Sequence, residues 1–206
     1  FGIDMYELSV TSLFGTPSPA GINSYGWGTL LNCSVAGSPV TIGMTQYVCN
    51  GWTGTGSAPA SGSGTNASFT ITNNSTLTWN WQTMYQLNAV AGPNGAVTAT
   101  NGWYSSGAIT LISATPIANY HFTGWTGDIV STNNPQAVLM NRGYAVTANF
   151  ALNTYNITAT AGANGTISPS GVISVSHGGS NVFAITPNIY CYISNVVVDG
   201  VSIGQT

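Results

Sequence analysis

The sequence predicts an all-β protein built from three tandem copies of one small domain. The first observation is composition: charged residues make up 2% of the 206, and Ser, Thr, Asn and Gly supply most of the polar surface. Helices favour Leu, Glu, Lys and Arg, whereas this composition suits strands and turns. The second observation is alternation of apolar and polar residues, and the third is internal repetition.

The middle repeat, residues 84–152, shows the unit most clearly. Its opening segment, 85–95, aligns without a gap to 155–165 in the third repeat, residues 153–206. Both segments alternate apolar and polar residues and then reach an Asn-Gly pair, which favours a hairpin turn. Each repeat is therefore predicted to open with a half-buried strand.

The first repeat, residues 1–83, is more divergent and carries an insertion rich in Pro and Gly. Its closing segment, 69–81, aligns without gaps to 138–150 and is predicted to be a hairpin. The joints between repeats, Thr83-Met84 and residues 151–154, are very short. Short joints favour a stiff rod over a flexible string of domains.

A Gly-Trp-Thr-Gly motif occurs once in each of the first two repeats. We interpret it as a strand running into a tight turn, with the Trp closing one end of the core. The motif residues are Gly51, Trp52, Gly54, Gly124, Trp125 and Gly127.

The third repeat stops before its closing hairpin, because residue 206 corresponds to about residue 136 of the middle repeat. An unpaired strand edge and an open core are expected there. Either the natural chain continues beyond Thr206, or another chain supplies the strand. The second alternative is strand addition between subunits, which builds fibres.

The three cysteines are Cys33, Cys49 and Cys191. Cys33 and Cys49 are predicted to form a disulfide between neighbouring strands if the protein is exported; the alternative is two buried thiols. Cys191 is then left over, either buried or available to link subunits. Asn-X-Ser/Thr sequences make six asparagines candidate glycosylation sites: Asn32, Asn66, Asn73, Asn74, Asn156 and Asn164.

The middle repeat resembles the bacterial divergent internalin-B-type repeats. The matching positions are Gly102, Tyr104, Gly107, Ile109, Leu111, Tyr120, Phe122, Gly124, Trp125, Gly127, Asp128, Met140, Tyr144, Val146, Ala148 and Phe150. Ser113 and Arg142-Gly143 depart from the pattern. The resemblance implies β-grasp-like or sandwich-like domains that serve as stalks in secreted or cell-surface prokaryotic proteins. The low charge and many sequons are also similar to subunits of prokaryotic extracellular filaments.

Composition argues against several functions. A single Arg and no Lys leave no surface that could neutralise nucleic-acid phosphates, and no run of apolar residues is long enough to span a membrane. The four acids, Asp4, Glu7, Asp128 and Asp199, are scattered, and His121 and His177 lie far apart. We therefore expect no enzyme activity, no metal and no cofactor.

Two roles remain, and both are extracellular. The first is a structural subunit of a filament or surface fibre that associates with copies of itself. The second is a stalk, or a carbohydrate-binding adhesin module, of a larger protein. Candidate sugar-stacking residues are Trp27, Trp79, Trp81 and Trp103, although packing in a core or interface is the favoured interpretation for these side chains.

Overall fold

The computed structural model describes residues 2–205, and every regular element in that range is a β-strand. The all-β prediction is confirmed. No helix in this range could cross a membrane.

The first unit contains β1 to β8 and the beginning of β9. The bounds are β1 Met5–Ser12, β2 Thr16–Ser18, β3 Gly21–Gly26, β4 Leu30–Ala36, β5 Val40–Ile42, β6 Thr45–Thr55, β7 Ser61–Gly62, β8 Asn66–Thr70 and β9 Ser75–Ala91.

The middle unit uses the end of β9 and continues to β15, and the third unit follows. The bounds are β10 Gly95–Thr98, β11 Gly102–Ser105, β12 Ile109–Pro116, β13 Tyr120–Gly127, β14 Gln136–Leu139, β15 Tyr144–Leu152, β16 Thr154–Ala159, β17 Gly165–Ser168, β18 Gly171–Ser176, β19 Ala184–Pro187, β20 Val196–Val198 and β21 Val201–Gly204.

One nine-stranded sheet runs through the first two units, with the order β13-β15-β9-β1-β3 along its main path. Strands β6 and β11 also pair with β9. A three-stranded sheet lies against each half: β2-β4-β8 in the first unit and β10-β12-β14 in the middle one. Each of the first two units is thus a two-layered β-sandwich.

Each sandwich has its own core between its two layers, because alternate residues of every strand point inward. In the first unit the core includes Leu8, Leu77 and Phe69. In the middle unit it includes Leu87, Ile112 and Trp125. No residue is shared between the two buried clusters.

The third unit has the opening elements of a repeat. Strand β16 pairs with β18, and β17 pairs with β19, in arrangements that match β9 with β11 and β10 with β12. The part of the chain that the structure describes contains no counterpart of β14 and β15. Ala159 is the buried apolar residue of this unit, and side chains such as Tyr155 and Val172 are exposed.

The predicted joint at Thr83-Met84 is instead the interior of β9. The reason is visible in the sequence of the strand: neither Gly nor Pro interrupts residues 75–91, and the inward positions keep the same parity from Ser75 to Ala89. Continuous alternation allows one strand to serve both cores.

Candidate functional site

Strand β9 joins the first two units through backbone pairing. One of its edges pairs in parallel with β1 near its beginning and antiparallel with β11 near its end. The other edge pairs antiparallel with β6 and then in parallel with β15. Met84 and Tyr85 are paired on both edges, with β6 of the first unit and with β11 of the middle unit.

Side chains and loops add contacts across the same boundary. The Met44 carbonyl accepts a hydrogen bond of 3.0 Å from the Gln86 amide, and the Thr83 carbonyl accepts one of 2.9 Å from Ser106. Gly143, in the turn before β15, lies so close to Met44 that an added Cβ would be 2.3 Å from the Met44 Cβ. The absence of a side chain at Gly143 therefore permits the two units to approach each other.

The joint between the middle and third units is the single residue Asn153. Its amide donates to the Asn119 carbonyl at 2.8 Å, and its carbonyl accepts from the His177 amide at 2.8 Å. Its side-chain Oδ1 lies 3.0 Å from Nδ1 of His121. Asn153 is therefore hydrogen-bonded to both of the units that it connects.

The Gly-Trp-Thr-Gly motif lies within a strand in both copies, not in the tight turn that the sequence suggested. The pairing register shifts at the first glycine, between Cys49 and Gly51 and between Phe122 and Gly124. Both shifts are β-bulges, which need an unusual backbone conformation. Gly51 has a φ of 140° and Gly124 one of 149°.

The bulge turns the motif Trp into each core. Trp125 is 1% exposed, and its indole Nε1 donates to the Asn133 carbonyl at 2.9 Å. Trp52 packs edge-on against Trp79 with ring centroids 5.6 Å apart. The close approach of backbone at Gly54 and Gly127 completes the motif's packing; an added Cβ at Gly127 would lie 2.4 Å from the Ala145 carbonyl oxygen.

Asp128 and Arg142 form an ion pair that connects the end of β13 to the turn before β15. The Arg142 guanidinium donates to Asp128 Oδ1 at 2.9 Å, and the Ala145 amide donates to Oδ2 at 2.8 Å. The hydrogen bond from Ala145, assisted by Arg142, lowers the pKa of the Asp128 carboxyl. The guanidinium also lies 4.7 Å from the centre of the Tyr144 ring.

The disulfide predicted between Cys33 and Cys49 is not formed: both residues are buried free thiols. The two cysteines are not on neighbouring strands, because β4 pairs with β2 and β8 whereas β6 pairs with β5, β7 and β9. The Cys49 Sγ lies 3.6 Å from the carbonyl oxygens of Gly51 and Gly64. Burial raises the pKa of the Cys33 thiol, and Cys191 is exposed.

The six candidate glycosylation asparagines are all exposed. Asn32 and Asn66 lie on β4 and β8, on the outer face of one small sheet. Asn156 lies on β16 and Asn164 in the turn before β17, while Asn73 precedes β9. Asn74 is already engaged, since its Oδ1 accepts a hydrogen bond from the Glu7 amide at 2.9 Å.

Most of the tryptophans that are candidates for sugar stacking pack against other side chains of the protein. Trp79 is 2% exposed, and Trp81 packs against the first core and donates to the Ser12 hydroxyl at 3.0 Å. Trp103 is half-buried. Trp27 is exposed.

Within residues 2–205, no three His, Cys, Asp or Glu residues lie close enough together to hold a metal ion. The Nδ1 atom of His121 is hydrogen-bonded to the side chain of Asn153 in the joint between the middle and third units. His177 follows β18, and the centre of its ring lies 6.0 Å from that of Tyr155.

Several important residues escaped the sequence analysis. Two asparagine side chains make the pair of backbone hydrogen bonds that a neighbouring strand would otherwise make. The Asn101 side chain accepts from the Ala89 amide and donates to the Ala89 carbonyl, and the Asn134 side chain makes the same two hydrogen bonds with Ala114. Asn153 was identified only as part of a short segment. Since Asn is common in this chain, no local signal distinguishes these residues from those in ordinary turns.

The shared strand, the paired sandwiches and the hydrogen-bonded joint define a tandem-repeat β-protein. Residues 85–154 match the family model of the divergent InlB B-repeat domain, so the middle unit is similar to a repeat of this family, as the resemblance indicated. The chain has no significant match among curated proteins or solved structures.

Proposed function

We propose that this chain is a non-catalytic spacer within the stalk of a larger protein displayed on a prokaryotic cell surface. The family match of the middle unit supports a repeat module. The observation that carries the proposal is β9, a strand of 17 residues whose pairing partners come from both units. At ~3.3 Å per residue it extends about 55 Å.

A shared strand makes two domains respond to force as one body. Bending at the boundary would require Met84 or Tyr85 to leave partners on both edges of the strand. At a flexible linker, by contrast, bending breaks no backbone hydrogen bonds. A stalk that holds a binding domain away from a surface benefits from this stiffness.

Single-molecule pulling on the 206-residue chain, with handles at its two ends, tests the proposal. We expect the first two units to unfold in one rupture event. Insertion of two glycines between Thr83 and Met84 should divide that event into two, because it interrupts β9 where the units meet.

The matched control is the same insertion between Gly162 and Ala163, where an added Cβ on Gly162 has open space around it. This control should leave the single event intact. Two separate ruptures in the unmodified chain would contradict the spacer function.

A second candidate function, a subunit of an extracellular filament, is supported by one edge of β16, which no strand within residues 2–205 covers. In the middle unit β15 pairs with the corresponding edge of β9, from Tyr144↔Leu87 to Ala148↔Ala91. No strand in the described residues does so for β16, where Tyr155 is exposed. A strand from a second copy would fit there by β-addition.

Electron microscopy of the purified chain tests this candidate. Filaments that shorten when a peptide of residues 144–152 is added would support strand addition, since the peptide has the sequence of the strand that fills the slot in the middle unit. Dispersed particles with and without the peptide would contradict it and leave the spacer function intact. The sugar-binding alternative has less support, because the packing of Trp79 and Trp81 removes two of its stacking faces.

A further inference from the structure

One part of the outer face of the β10-β12-β14 sheet is apolar although it faces away from the core, whereas the rest of that face carries Thr98, Ser113 and Thr115. Ile109 pairs with Leu139 across β12 and β14, and Leu111 pairs with Ala137. Ile109 is 72% exposed, Leu111 59% and Leu139 49%. We refer to these four residues as the apolar sheet face.

The first unit shows that the fold does not require this face to be apolar. Its β2-β4-β8 sheet has the same register, and the corresponding pairs are Leu30↔Thr70 and Asn32↔Ser68. Three of those four outward positions carry polar side chains. The inward positions stay apolar in both units, as Phe69 is matched by Val138. The difference is therefore specific to the exposed face of the middle unit.

A solvent-exposed stripe of paired apolar side chains is unfavourable in water unless another surface covers it at least part of the time. The three strands of this sheet, β10, β12 and β14, contain no charged residue. The formal net charge of the whole chain is −3 over 206 residues. A like copy thus meets little electrostatic repulsion, and its own apolar sheet face is a flat, uncharged surface of matching chemistry.

We propose that the apolar sheet face is a lateral contact surface for a second copy of this chain. Four side chains cover much less than the about 800 Å² per partner of a standard stable interface. The contact is therefore weak between free chains and becomes populated where copies are held close together. This inference rests on the proposed function in one respect: display on a common surface supplies the high local concentration.

Cysteine cross-linking tests the contact. In a Cys191→Ser background, which removes the exposed native thiol, Leu111→Cys reports on the apolar sheet face. Asn32→Cys, at the corresponding position of the first unit, is the matched control. Each variant is tethered by a terminal tag to lipid vesicles and treated with a short bis-maleimide.

We expect cross-linked dimers to form at least tenfold faster with Leu111→Cys than with Asn32→Cys. Adding Ile109→Thr and Leu139→Thr to the Leu111→Cys variant should abolish the difference. Equal rates for the two cysteines, or rates unaffected by the two threonines, would overturn the proposal. Thermal unfolding of each variant verifies folding, and the pulling experiment on β9 is independent of either result.

Discussion

Replacing Leu77 by Ala should destabilise both of the first two units, although Leu77 lies in the core of only one. The side chain is fully buried on β9, opposite Val10 on one edge and Gly54 on the other. Truncating a buried Leu to Ala costs about 2–5 kcal/mol, because it removes apolar contacts and leaves a cavity. Since β9 also supplies Leu87 to the second core, the loss should extend to that unit.

Hydrogen exchange measured by mass spectrometry reports on the two units separately. A loss of about 3 kcal/mol corresponds to roughly 150-fold faster exchange where exchange requires cooperative unfolding. We expect this acceleration in β4, which belongs to the first unit, and in β15, which belongs to the middle unit.

A control variant separates coupling from a general loss of stability. With two glycines inserted between Thr83 and Met84, Leu77→Ala should accelerate exchange in β4 and leave β15 unchanged. Unchanged exchange of β15 in the uninterrupted chain would refute the reasoning, because it would show that the shared strand does not couple the two cores.

Three further substitutions test local features, each by urea unfolding. Gly51→Ala should destabilise the first unit more than Gly64→Ala. Both glycines have positive φ, which strains an Ala by about 1–3 kcal/mol. Only at Gly51 would the new Cβ also meet backbone, 2.0 Å from the Gly62 carbonyl oxygen. Asp128→Asn should make the free energy of unfolding depend less on pH in acid. The lowered pKa of the Asp128 carboxyl stabilises the fold at pH values above the usual carboxyl pKa of 3.8, and this stabilisation is lost as the pH falls from 3.8 through the lowered pKa. Asn134→Ala should cost about 1–3 kcal/mol, because two backbone groups lose their partner.

Each of these predictions has an opposing outcome. Equal losses for the two glycine substitutions would show that the bulge can move away from its neighbour. An unchanged acid limb in Asp128→Asn would show that the ion pair and the Ala145 hydrogen bond add no stability. Wild-type stability of Asn134→Ala would mean that water replaces the side-chain amide.

The periodic features of the fold can be predicted from the sequence. Alternation in the segments around Leu87 and Val146 correctly indicated strands with one inward face, since the pleat forces successive side chains to opposite sides. The repeat spacing located equivalent strands, including those that begin the second and third repeats at Tyr85 and Tyr155. The Trp of each Gly-Trp-Thr-Gly motif lies in a core, Trp52 in the first and Trp125 in the second.

Features that depend on contacts between residues far apart in the sequence could not be predicted from the sequence. The motif glycines looked like a turn, because a bulge and a turn both require glycine, and only the pairing of β13 with β15 distinguishes the two. The Cys33–Cys49 bond was predicted because both residues fall in the first repeat on segments that could pair as neighbouring strands, whereas the structure places these residues on strands of different sheets. The ion pair between Asp128 and Arg142 also depends on a turn brought close by folding.

The sequence by itself determined the all-β class, and it indicated the repeating unit and the inward face of the alternating strands around Leu87 and Val146, because these depend on composition and on a local period of two residues. Only the tertiary structure decided that β9 belongs to two sandwiches and that Asn153 is bonded to both of its neighbours. It also decided that Ile109 and Leu111 lie on an outer face. Those facts depend on which strand pairs with which, and pairing is settled by long-range packing that no local pattern encodes.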